Sequence, residues 1–139
     1  GTIEKNQIFI LVGETGPGKT TQTPQFILDD QILKNKGSQC RIICSQPRRI
    51  GATSVAERVA QERGENRLGE SVGYHIRLSA QLPRKYGSIL YCTTGMLLKY
   101  IEKYMNFEHF SHLILDEMHE RNIEMDFLLI FIKHLLTIR

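Results

Sequence analysis

The chain has no tryptophan, four prolines and three cysteines in 139 residues. Few prolines leave long stretches free to form helices and sheet ladders, and a composition with 41% apolar and 24% charged residues is not that of a disordered chain. Cys40, Cys44 and Cys92 are odd in number, form no C-x-x-C pair and have no histidine at zinc-ligand spacing. They are expected as buried thiols rather than as a disulfide framework or a metal site. No apolar run approaches the roughly 18 residues of a membrane span. The first residues, GTIEKNQ, carry neither a basic leader nor a signal-peptide core. The expectation is one soluble intracellular domain, in cytoplasm or nucleus, with no membrane partner.

A strong excess of one charge is also lacking, since the net is +3. The distribution is uneven, however. From Lys34 to Arg67 eight Lys or Arg face three Glu, whereas from Glu102 to Arg139 four basic residues meet seven acidic ones. A basic first half suits a polyanion such as nucleic acid, although a solvated charged face gives the same pattern.

What the sequence does contain is an alternation of short apolar runs with helix-like spacings. Residues 8–12 form an apolar run stopped by Gly13 and read as a buried strand, and residues 19–33 then space Phe26, Ile27 and Leu33 as a helix would. Gly37 and Ser38 break the chain before a strand over 41–44. Pro47 makes a turn, and 50–63 is helical, with Val55 and Val59 four apart and Gly64 as the stop. Strands are expected over 72–78 and 88–92, separated by a polar segment with Pro83 and Gly87. Thr94 is placed as the cap of a helix over 95–104, residues 112–115 as a further strand and 125–136 as a closing apolar helix. Strands alternating with helices predict an α/β fold, a mostly parallel sheet with helices on both faces. Ligands of such sheets bind beyond the carboxyl ends of the strands, so Gly13, Ser45, Thr93 and Asp116 should share one edge.

At the first of these strand ends, Gly13-Glu14-Thr15-Gly16-Pro17-Gly18-Lys19-Thr20 fits G-x-x-x-x-G-K-[ST], the phosphate-binding loop. The glycines allow the backbone N–H groups to wrap phosphates at the positive end of the following helix. Lys19 supplies a point charge to the β- and γ-phosphates of ATP or another NTP, the Thr20 hydroxyl binds Mg²⁺, and Thr21 is expected among the nucleotide-binding residues with the rest of the loop. The run Leu113-Ile114-Leu115 ends in Asp116 and Glu117, where a phosphate-loop enzyme places its second metal contact. Asp116 is expected to hold Mg²⁺, directly or through water, and Glu117 to orient or deprotonate the attacking water.

Asp116-Glu117-Met118-His119-Glu120-Arg121 resembles the D-E-x-H-E-R signature of DEAH-box helicases of superfamily two. Ser45-Gln46-Pro47-Arg48-Arg49 with the helix after it resembles that family's motif Ia. Gly73-Tyr74-His75-Ile76-Arg77-Leu78 is similar to the strand leading into its hook-shaped RNA-contacting turn, and Thr93-Thr94-Gly95-Met96-Leu97-Leu98 to motif Ib. The segments come in the family's order and span residues 8 to about 136. Within the family, the run from Leu82 to Gly95 most resembles the animal helicases that resolve G-quadruplexes.

The resemblance implies a RecA-like phosphate-loop NTPase fold and an ATP-dependent helicase acting on single-stranded or structured RNA. A helicase acting mainly on DNA, or a nucleotide-defective RNA-binding module, is the alternative. It implies that Arg48, Arg49, Arg77, Thr93, Thr94 and Gly95 touch the sugar-phosphate backbone of a strand, which arginines and backbone amides do without reading sequence. It also implies that Arg58 stacks on the adenine and that His119 bridges the nucleotide to a second RecA domain. His75, His109, His112 and His134 have no such context, and Met96, Met105, Met118 and Met125 are expected in the core. Residues 1–139 would be most of the first RecA-like domain, ending before the Ser-Ala-Thr motif, with the second RecA domain of the same chain as its partner. One departure stands out. Pro17 occupies a loop position where the family usually carries Cys, Ser or another residue with a backbone N–H.

Overall fold

The computed structural model describes residues 21–103, 110–115, 130 and 133, and the backbone alone of residues 9–12, 19, 20 and 104. Among these the chain runs β1 (Phe9–Val12), α1 (Lys19–Leu33), a 3₁₀ turn (Gly37–Gln39), β2 (Arg41–Gln46) and α2 (Arg49–Glu62). It continues through β3 (Val72–Ile76), β4 (Ser79–Gln81), β5 (Ser88–Thr93), α3 (Thr94–Tyr104) and β6 (His112–Leu115). The expected closing helix over 125–136 lies outside the described residues except for Ile130 and Lys133, both helical.

The six strands form one sheet in the order β1-β6-β2-β5-β3-β4. Every neighbouring pair is parallel except β3 with β4. The central strands explain why the sequence shows continuous apolar runs instead of alternation. From Ile42 to Gln46 every residue of β2 is buried, as is all of β6, because helices cover both faces. Successive side chains then separate into two cores. Ile42, Cys44, Ile89, Tyr91, Val72 and Ile114 face Leu28 of α1 and Ala52, Ala56, Val59 and Ala60 of α2. Ile43, Leu90, Cys92, Leu113 and Leu115 face Leu97 and Ile101 of α3. The three cysteines are buried free thiols, as expected, and burial pushes the Cys92 thiol far above its usual range.

Three sequence expectations are corrected. The spacing of Phe26 and Leu33 does not mark the buried stripe of α1, for they are 73% and 84% exposed. The stripe is Thr21, Pro24 and Leu28, at i, i+3 and i+7. The strand expected over 72–78 ends at Ile76, and the polar segment after it begins with an antiparallel strand, β4, whose three residues are all exposed. An edge strand with no buried face leaves no apolar pattern to read. Finally, Thr94 is the first residue of α3 and not a residue before it.

Glycine is required at position 73 of β3. A Cβ there would lie 2.2 Å from the Gln81 carbonyl oxygen and 2.6 Å from the Pro83 nitrogen, so the return of the chain along β3 depends on its absence.

Candidate nucleotide and nucleic-acid site

Parallel register brings the carboxyl ends of the strands to one edge. Val12 of β1 is level with Leu115 of β6, Leu115 with Ser45 of β2, and Gln46 of β2 with Thr93 of β5. The chain therefore leaves β1 into residue 13 and leaves β6 into residue 116 from adjacent strands at the same level. Lys19 and Thr20 are the first two residues of α1, so the phosphate-loop motif joins a strand's carboxyl end to a helix N-terminus. This placement fits a nucleotide triphosphate with Mg²⁺ held between two neighbouring strand ends. Gly13, Glu14, Thr15, Gly16, Pro17, Gly18, Asp116, Glu117 and His119 lie outside the described residues. Thr21 is buried in the first turn of α1, where its carbonyl accepts from Gln25 Nε2 at 2.9 Å.

Beyond the ends of β2 and β5 the same edge opens into a groove of about 1120 Å³. Its described lining includes Arg48, Arg49, Arg77, Thr93 and Gly95, which the sequence had marked as nucleic-acid contacts, together with Lys99. Four of the lining residues are thus cations, and none among those described is acidic. Two helices begin here as well. The extended Arg48 (φ −128°, ψ 146°) caps α2, its carbonyl accepting from the Ala52 N–H at 3.1 Å, and α3 follows β5 without an intervening residue. Neither helix has an acidic residue in its own first turn, so among the described residues the positive helix ends add to the side-chain cations. Gly51 and Gly95, in the first turns of these helices, line the groove as well.

Thr94 stands apart from its neighbours. It is 2% exposed, its hydroxyl has no hydrogen-bond partner among the described residues, and it is not part of the groove lining that Thr93 and Gly95 share. With no linker between β5 and α3, the first helical residue is held between sheet and helix. Met96, expected in the core, packs partly on the α3-side cluster but also lines the groove. Lys99 was not foreseen. A signal existed, since it follows Gly95 by one helical turn and so shares its face. Gln46, which lies in the segment resembling motif Ia but was given no contact of its own, also lines the groove, as does Ile50, a single isoleucine with no motif of its own.

Behind Lys99, His75 of β3 hydrogen-bonds through Nδ1 to the Tyr100 hydroxyl, and the two rings meet edge to face. Tyr100 meets Phe110 in the same way, and Arg41 lies over the Phe110 ring. Burial, and secondly the Lys99 charge, lower the His75 pKa. Arg58 is placed elsewhere, on the outer side of α2. Its Nε donates to Glu62 at 3.1 Å, and Glu62 also accepts from Gln25 of α1 at 2.9 Å. Hydrogen bonds from Gln25 and then Arg58 hold the Glu62 carboxyl below its usual range. Arg58 is therefore tied to the helix that follows the phosphate-loop motif and does not join the cationic groove.

An α/β sheet with one ligand-facing edge, carrying a phosphate-loop motif at one strand end and a cationic groove at others, defines a nucleotide-binding domain of the RecA-like kind. The chain belongs to the DEAD/DEAH box helicase family, whose model matches residues 2–135. It is 55% identical over 138 residues to the ATP-dependent DNA/RNA helicase DHX36 of Homo sapiens, 50% identical over 138 residues to the DExH-box ATP-dependent RNA helicase DExH1 of Arabidopsis thaliana, and 46% identical over 131 residues to the ATP-dependent RNA helicase DHX30 of Gallus gallus. These matches cover 99%, 99% and 94% of this chain but only 14%, 14% and 11% of the relatives. The chain thus spans about one-seventh of the length of the first two.

Proposed function

We propose that the chain is the first RecA-like domain of an intracellular ATP-dependent helicase that moves along and remodels RNA. The observation that carries the reading is the shared edge, with the phosphate-loop and Asp116-Glu117 segments leaving adjacent strands and the cationic groove opening at the next two. Residues 13–18 and Lys19 would hold the phosphates of ATP, Thr20 and Asp116 would hold Mg²⁺, and Glu117 would take a proton from the attacking water. When bound, Mg²⁺ supplies charge neutralisation on the phosphates. Arg48, Arg49, Arg77 and Lys99, with the N-termini of α2 and α3, would hold the sugar-phosphate backbone of a single strand. The described groove lining is cationic and carries no carboxylate, which suits contacts to a sugar-phosphate backbone. His119 would contact the nucleotide from the side of a second RecA-like domain, and Arg58 the adenine. The names of the relatives include both DNA and RNA, and folded quadruplexes are proposed as substrates on the likeness of residues 82–95.

The reading is tested in the full-length protein by phosphate release with and without single-stranded RNA. Glu117→Gln should bind ATP normally and lose turnover, and Lys19→Ala should lose binding. Arg48→Ala with Arg49→Ala should weaken strand binding about equally across sequences and make its log–log salt slope shallower by about 1.4, the share of two single-strand phosphates. Normal turnover in Glu117→Gln, or an unchanged salt slope in the double variant, would refute the corresponding half.

A further inference from the structure

His75 stands behind the cationic groove without lining it. Its Nδ1 is hydrogen-bonded to the hydroxyl of Tyr100, the residue after Lys99, and the two rings meet edge to face. Level with it are Cys92 on β5, whose neighbour Thr93 reaches the groove, and Ala80 on β4. The half-buried imidazole is thus fixed between the sheet and α3, one residue inside the ligand-facing edge. Strand binding as read above makes no use of it, yet histidine is the side chain whose charge ordinarily changes near neutral pH.

The groups around His75 oppose its charged form. Burial disfavours the cation and the Lys99 ammonium repels it. Burial keeps the Cys92 thiol neutral, and Ala80 carries no charge. The Tyr100 hydroxyl can accept from Nδ1 as well as donate to it, so their bond survives in either protonation state. Glu102, the acidic residue of α3, is two residues from Tyr100 and so faces another side of the helix. Lys103 of the same helix and Arg41, which lies over Phe110, bring only positive charge. While the groove is empty, His75 is therefore neutral at neutral pH.

Phosphates change that balance. Paired with Lys99, they cancel its repulsion and bring negative charge toward the ring, which favours the imidazolium. We propose that His75 takes up a proton from solvent when the phosphates of a strand enter the groove, so that the protein grips the strand more tightly as the pH falls. The proton adds to the free lone pair of the imidazole, and no bond breaks. This rests on the strand-binding reading and gives that same site a pH dependence. Because the bound state holds the extra proton, affinity rises as pH falls through the histidine range and is flat well above it.

The experiment is titration calorimetry of the full-length protein with a uridine homopolymer, whose bases and phosphates keep their charge between about pH 5.5 and about pH 8. Runs in buffers of different ionisation enthalpy count the protons taken up on binding. Near pH 6, about the histidine range, wild type should take up a fraction of a proton more than His75→Asn, whose amide can still bond Tyr100 but does not titrate. From about pH 8 to about pH 5.5 its affinity should gain roughly fivefold more than that of the variant, as expected of one partly screened charge pair. At about pH 8 the two should bind equally. Histidines elsewhere are common to both proteins and cancel in the difference. Lys99→Gln removes the repulsion before the strand arrives, so it should take up fewer protons than wild type, and it carries the test if His75→Asn does not fold. Equal proton uptake by wild type and His75→Asn, a loss of affinity in that variant that is the same at every pH, or wild-type uptake in Lys99→Gln would overturn the proposal. If instead the Arg48→Ala, Arg49→Ala protein keeps the wild-type salt slope, the groove is not the strand's site, and the strand-binding reading is what fails.

Discussion

At position 17 the chain forgoes a backbone donor in the loop expected to hold the phosphates. A hydrogen bond to a charged group contributes about 1.5–3 kcal/mol, and the fixed φ of proline recovers part of that by stiffening the loop. We expect Pro17→Ser to tighten ATP and ADP binding by roughly tenfold. Titration calorimetry of both proteins checks it, and equal affinities would mean that this amide is no part of the cradle. A second expectation concerns protons. Burial lowers the pKa of His75 and of His112, so just below the ordinary histidine value of about 6.5 the unfolded chain binds more protons than the folded one. Their contribution is fully present above that value and is lost as pH falls through it toward the lowered folded pKa values. The melting temperature should decline between about pH 7 and about pH 5, and less steeply in His75→Asn and His112→Asn. A decline as steep in both variants as in wild type would place the titration elsewhere. The groove cations were legible one by one where a motif carried them. Lys99 was not, because a single helical lysine resembles any solvated residue until the strand before it fixes which face it shares.

The helices illustrate the same limit one scale up. Apolar spacing located α1 but pointed only in part to its buried face, because Phe26 and Leu33 are exposed while Ile27 packs partly on the core and the buried positions include Thr21 and Pro24. Leu28, fully buried, joins α1 to the sheet. Leu28→Ala should lower stability by about 2–5 kcal/mol, whereas Phe26→Ala should change it by less than about 0.5 kcal/mol. Denaturant titration of both separates the alternatives, and similar losses would contradict the assignment of the buried face. The strands were more legible than the helices, since burial on both faces turns each central strand into an uninterrupted apolar run with little ambiguity. β4 escaped for the opposite reason. It is short, polar and exposed, and it is held by its pairing with β3 and by the absence of a side chain at Gly73, neither of which appears as a pattern in the sequence.

The order of strands in the sheet is not their order in the chain. β6, the last described strand, lies between β1 and β2, the first two, and β1 has no other described neighbour. Phe9 meets His112 across roughly a hundred residues of intervening chain, a contact with a large loop-closure cost. A chain emerging from the ribosome can pair β2, β5, β3 and β4 with one another, but β1 must wait. We expect the amides of residues 9–12 to exchange with solvent as fast as an unfolded segment in a chain cut after Phe110, and to gain protection once β6 is restored. Equal protection in both chains would show that β1 finds a place without it. The phosphate loop follows β1 and the carboxylate pair follows β6, so the strand that completes the described sheet also delivers Asp116, expected to join Thr20 on Mg²⁺, and Glu117, expected to act on the attacking water. A nascent molecule therefore has no stage at which the phosphate cradle is anchored while its carboxylates are missing, and ability to bind nucleotide would arrive in a single late step.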